Sequence, residues 1–283
     1  MKNFPWQSAS RFFLYCAPFA LVIVTKSTLF PFIVGKYVWF RGSVALALVF
    51  FLLGLLFDWE KQGEYVKKVG RIIRTPLGVT ITAFTALFVI AGFFGMRPSY
   101  SFWSNFERGE GGLQMLNLYV FFLLLAALFQ KESDWRKLFW VALWTTFGMV
   151  LYGVGAGLGY KGFIGIKFGE SAFRFSGSLG NPSYVAVLLI FAAFYGIYIL
   201  ATRYKKHLLS NVGSILIWIF LGIFAISFLL AATRGAFLGL GGGVFMALAY
   251  LGWRIKSWRK CQLCLRRKDL KLDKQSRRSM RRL

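Results

Sequence analysis

The sequence predicts an all-α fold: a polytopic bundle of about eight transmembrane helices with both termini in the cytoplasm. Three observations carry that expectation. The composition is too apolar for a soluble domain, the apolar residues fall in runs of spanning length, and Lys and Arg gather on alternate sides of those runs.

Of 283 residues, 57% are apolar and 16% are charged, against roughly 45–50% and 25% in soluble globular chains. That excess rules out an ordinary cytosolic enzyme, a disordered chain and a disulfide-rich secreted scaffold. The three cysteines, Cys16, Cys261 and Cys264, cannot build a disulfide framework, and the lone C-x-x-C lacks the second pair or histidine that a zinc site needs. A net charge of +25 would suggest nucleic acid in a soluble protein. Here 13 of the 35 basic residues lie in the last 30 positions and most others stand between apolar runs, so no nucleic-acid partner is expected and membrane lipids are.

About 20 mainly apolar residues cross roughly 30 Å of hydrocarbon as a helix. Eight runs qualify: Phe12 to Thr25, Ser43 to Phe57, Pro76 to Gly95, Leu113 to Phe129, Leu138 to Leu158, Ser183 to Thr202, Val212 to Thr233 and Gly235 to Trp253. The first follows Lys2 and Arg11 but lacks an A-x-A-like cleavage pattern, so it reads as a span or signal anchor. Lys26, Lys36 and Arg41 break the region between the first two. The last two runs would form one helix of about 63 Å, twice the hydrocarbon thickness. The chain must therefore turn at the polar break around Arg234. Residues 1–253 form the expected membrane domain and 254–283 a basic cytoplasmic tail. With the N-terminus inside, inner segments carry 26 Lys and Arg and outer ones 9, or 13 against 9 without the tail, which sets the orientation.

The segment after the fifth span, Arg174-Phe-Ser176-Gly177-Ser-Leu-Gly180-Asn181-Pro-Ser-Tyr184, is unusual for a connector. Gly177 and Gly180 let the backbone approach a ligand, Asn181-Pro182 opens the sixth span, and Arg174 offers a fork of donors matched to phosphate. The N-terminus of the next helix adds partial positive charge. Arg234 falls on the same face, followed by Gly235, Gly239 and Gly243 at the spacing that packs spans closely. The loop Trp103-Ser-Asn-Phe-Glu107-Arg108-Gly-Glu110-Gly holds two acids, which either pair with Arg108, Arg174 or a lysine, or supply a general base. Gly153, Gly155, Gly157 and Gly159 end an apolar helix and make no nucleotide loop. The one histidine, His207, belongs to an inner loop.

With Ala232-Thr-Arg234-Gly-Ala-Phe-Leu-Gly downstream of the first motif, the chain resembles the O-antigen ligase and polymerase superfamily over most of residues 10 to 253. The resemblance implies a metal-independent, cofactor-free membrane glycosyltransferase of the bacterial inner membrane. Such enzymes move a glycan from an undecaprenyl diphosphate carrier to a lipid, glycan or protein acceptor. It places Arg174 and Arg234 on the donor diphosphate, where they stabilise the leaving group, and makes Ser176, Gly177, Asn181, Glu107 and Arg108 candidate substrate-binding residues. The family continues through a large outer loop with a histidine, and this chain shows no such loop before Leu283. The expectation is that it lacks full transferase activity alone, with no catalytic base identified. A carrier of lipid-linked oligosaccharide and a non-catalytic membrane protein are the alternatives; acceptor and oligomeric state are open.

Overall fold

In the computed structural model, residues 5–57, 59–104, 109–204 and 208–254 are described, with the side chains of 59–61 left out. Among them every regular element is helical. The chain divides between Ala232 and Thr233 into two units.

The first unit opens with α1 (Trp6–Cys16). Pro18 has no amide hydrogen for the α-helical ladder, and the chain tightens into a 3-10 segment, Ala17–Val22. The expected first span is therefore two short helices. The next helix, α2 (Val34–Phe57), lies against α1: buried Ser10 donates its hydroxyl to the Ala47 carbonyl at 2.7 Å, and Trp6 stacks on Phe57 with centroids 5.5 Å apart.

This helix starts nine residues before the expected Ser43, so Lys36 and Arg41 are helical and do not break the region. Distant partners make that tolerable. Lys36 Nζ donates to the carbonyls of Ala20, Leu21 and Ile23 at 3.5, 3.1 and 2.6 Å, closing the end of the 3-10 segment. Arg41 donates through Nε to Gln114 Oε1 at 2.9 Å and through Nη2 to the Gly109 carbonyl, with its guanidinium 4.7 Å from the Tyr37 ring centre. A charge satisfied this way no longer needs water.

The stretch between the second and third expected spans, Phe57 to Pro76, is more than a connector. Its greater part is α3 (Trp59–Ile73), an amphipathic helix, followed by α4 (Pro76–Phe93), capped by Thr75, and the short α5 (Pro98–Trp103). Next come α6 (Gly112–Leu128) and α7 (Glu132–Gly157). The latter starts six residues before the expected Leu138 because Glu132 and Asp134 sit in its first turn, where carboxylates complement the helix dipole. Asn181 caps α8 (Pro182–Arg203) and Asn211 caps α9 (Val212–Ala231), each accepting from a backbone amide two residues on at 2.9 Å.

One end of this unit is closed by a cluster of Leu14, Phe51, Tyr65, Leu124, Leu128, Phe129 and Leu138, drawn from α1, α2, α3, α6 and α7. Six helices among the described residues are long and apolar enough to cross a membrane: α2, α4, α7, α8, α9 and, in the second unit, α10 (Arg234–Arg254). The apolar α6 is slightly shorter. Only 11% of the α4 window is buried at a mean hydropathy of 1.9; such a surface is stable in hydrocarbon and not in water. The molecule is a multi-pass helical membrane bundle.

Among its described residues the second unit, taken by itself, is α10.

Candidate functional site

The glycine ladder at the end of α7 seats the segment that carries the first motif. A Cβ at Gly155 would fall 3.2 Å from the ring of Phe163, at Gly157 2.4 Å from Phe168, and at Gly153 2.5 Å from Phe175. Three aromatic side chains of residues 158–176 thus lie on bare helix backbone. The Phe168 amide donates to the Gly157 carbonyl at 2.8 Å and the Ile164 amide to the Tyr152 hydroxyl at 3.0 Å. Phe175 is 2% exposed while Phe163 and Phe168 are 41% and 40% exposed, so the segment is anchored to the bundle at Phe175.

From that anchor the motif runs in two directions. On the α9 side, the Phe175 amide donates to the Leu230 carbonyl at 3.0 Å. Arg174 donates through Nε to the Ala231 carbonyl at 3.3 Å and through Nη2 to the Ala232 carbonyl at 3.2 Å. A guanidinium on the last carbonyls of a helix complements the negative end of its dipole. Ala232 is left-handed, with φ 46° and ψ 44°, and α10 follows two residues on at Arg234. The first motif is thus hydrogen-bonded to the first residue of the second, 58 positions later.

On the other side, buried Ser178 donates its hydroxyl to the Leu21 carbonyl. Gly177 and Gly180 have φ of +53° and +68°, a region that side chains strain. A Cβ at Gly177 would also lie 2.2 Å from Met149 Sδ, and one at Gly180 2.4 Å from the Phe32 ring.

Beyond Gly180 opens a pocket of about 540 Å³, formed by the starts of α2, α6 and α8 with residues 20–33. Phe30, Phe32, Ile33 and Phe40 supply its apolar wall; Lys36, Tyr37, Glu110, Gln114, Asn181 and Tyr184 supply the polar groups. Gln114 Oε1 is committed to Arg41 and Asn181 Oδ1 to the Ser183 amide. Those bonds fix which way each amide faces and leave both NH2 groups as donors. Glu110 adds a carboxylate acceptor. Lys36 is turned to the backbone carbonyls already named, chiefly those of Leu21 and Ile23, so it contributes charge and rigidity. Donors, an acceptor and aromatic faces together suit a ligand with hydroxyl groups and an apolar portion.

Of the residues singled out from sequence, Glu110, Gly180 and Asn181 line this pocket, and Ser176, Gly177 and Arg174 do not. Arg234 belongs to the second unit. Glu107 and Arg108, like His207, Cys261 and Cys264, lie outside the described residues. Lys36, Arg41 and Gln114 were not singled out. For Lys36 and Arg41 the signal was a cation beside an apolar run, a cost of about 2.5–3.5 kcal/mol at mid-membrane that demands a compensating partner; Gln114 carried no such signal. Among the described residues no group of three or more His, Cys, Asp and Glu side chains is placed to hold a metal ion. No family model, curated protein or solved structure matches this chain.

Proposed function

We propose that this chain is an O-antigen ligase-related membrane glycosyltransferase or a part of one. In this reading it spans the bacterial inner membrane eight times with both termini cytoplasmic, and it holds a glycan linked to undecaprenyl diphosphate at the outer face for transfer to a lipid, glycan or protein acceptor. The observation that carries the reading is the bond from Arg174 to Ala232. It ties Arg174 to Ala232, the first residue of the Ala232-Thr-Arg234 stretch on which the resemblance also rests.

The rest of the motif supports the same reading. Gly180 and Asn181 border a pocket whose amide donors and Glu110 carboxylate match sugar hydroxyls, and whose phenylalanines match the C–H faces of a sugar or a prenyl chain. The arginines supply charge for a diphosphate, which gains negative charge as the glycosyl bond breaks. A second reading has its own observation: Arg174 already caps α9, a sufficient structural reason for an arginine there.

Binding of undecaprenyl diphosphate, with and without glycan, to the wild type and to an Arg174→Ala, Arg234→Ala variant separates the two. A loss of at least tenfold, about 1.4 kcal/mol, in a variant that keeps its fold supports the donor site. Equal binding in both leaves Arg174 as a helix cap and sinks the transferase reading.

A further inference from the structure

We propose that Lys67, Arg71 and Arg74, on the exposed side of α3, form a binding surface for anionic phospholipid headgroups, at the end of the first unit opposite the pocket. The proposal is independent of any transferase activity and needs only that the chain spans a membrane.

At 15 residues, α3 is too short and too polar to span. Its apolar side is spent on the bundle: Tyr65 is buried and meets Phe51 edge-on with centroids 5.7 Å apart. The helix therefore lies across the ends of neighbouring spans, at headgroup depth. Its exit is rigid. Thr75 donates to the Ile72 carbonyl at 2.7 Å and accepts from the Gly78 amide at 3.0 Å. A Cβ at Gly78 would stand 1.9 Å from the Ile72 oxygen, so α3 and α4 meet backbone to backbone and Arg74 is held where α4 begins.

Lys67, Arg71 and Arg74 recur at four and three residues, which places them on one helical face, and all three are exposed. The Arg74 amide still bonds to the Arg71 carbonyl at 3.2 Å, carrying the helical turn past Ile73. Glu64 is paired with Lys68 at 2.7 Å, and no acid occurs in the sequence between Glu64 and Glu107. Exposed Val66 and Leu77 flank the stripe. Cations beside apolar side chains at a span entrance fit a lipid headgroup with its glycerol and acyl region, and fit an acidic soluble protein less well.

The test titrates phosphatidylglycerol and phosphatidylcholine into the full chain in zwitterionic detergent, read by native mass spectrometry. The tail cations are common to every form and cancel. K67Q/R71Q/R74Q should weaken phosphatidylglycerol binding at least about fivefold, the worth of one basic residue at a membrane surface, with phosphatidylcholine unaffected. K67R/R71K/R74K should retain it, as should K161Q/K167Q at the opposite end. Unchanged binding in the glutamine variant overturns the proposal. So do an equal loss of phosphatidylcholine, an equal loss in K161Q/K167Q, or a loss in the charge-conserving variant.

Discussion

Replacing Lys36 with Met keeps the length and apolar stem of the side chain and removes the ammonium. The carbonyls of Leu21 and Ile23, at 3.1 and 2.6 Å, then lose a charged donor at the end of the 3-10 segment; the Ala20 contact at 3.5 Å is too long to count for much. A hydrogen bond to a charged group contributes about 1.5–3 kcal/mol, and relief of the half-buried ammonium returns part of that. The net loss should be about 2–3 kcal/mol, which for a chain of this size lowers the melting midpoint by about 5–10 °C. The assay is intrinsic tryptophan fluorescence against temperature in detergent, with Lys36→Arg falling in between. A midpoint within about 1 °C of wild type in Lys36→Met would show that Lys36 only snorkels and that the break at Ala17–Val22 is held by something else.

Gly177→Ala should be more damaging than an average surface change, because left-handed strain and the Met149 contact each cost about 1–3 kcal/mol; the same melting assay reads it. Asn181→Ala removes the cap of α8 at about 1 kcal/mol and one donor of the pocket, so ligand affinity should fall by more than the change in midpoint alone explains. Arg41→Lys keeps the charge but loses the planar fork that turns Gln114. It should weaken ligand binding nearly as much as Gln114→Ala, and full binding in Arg41→Lys would contradict the assigned orientation of that amide.

The spans were legible because apolar length reads directly from sequence. The expected start at Val212 coincides with that of α9, and those of α6 and α8 differ by one residue. What sequence hid was non-local satisfaction. Lys36 and Arg41 looked like breaks because the carbonyls of Ile23 and Gly109 that receive them are placed by the fold. The helix α3 was hidden by its charges, although Tyr65, Val69 and Ile72 keep a helical period. The glycines ending α7 were recognised as a helix end, yet nothing local names Phe163, Phe168 and Phe175 as the rings they receive. Within the site, Asn181 could be picked out because Asn-Pro is a helix-start signal. Gln114 could not, since an amide in an apolar helix becomes a pocket donor only once Arg41 holds its oxygen.

The most direct test of the central claim is where a lipid-linked glycan sits. A photoreactive undecaprenyl diphosphate sugar should be cross-linked to the full chain and the labelled peptides identified by mass spectrometry. Labels within residues 29–40, 110–114 and 179–184, competed away by the unmodified carrier and lost in Asn181→Ala, are the predicted result. Labels confined to the exposed surface of α4, and insensitive to competitor, would show that the pocket beside the motif is not the donor site.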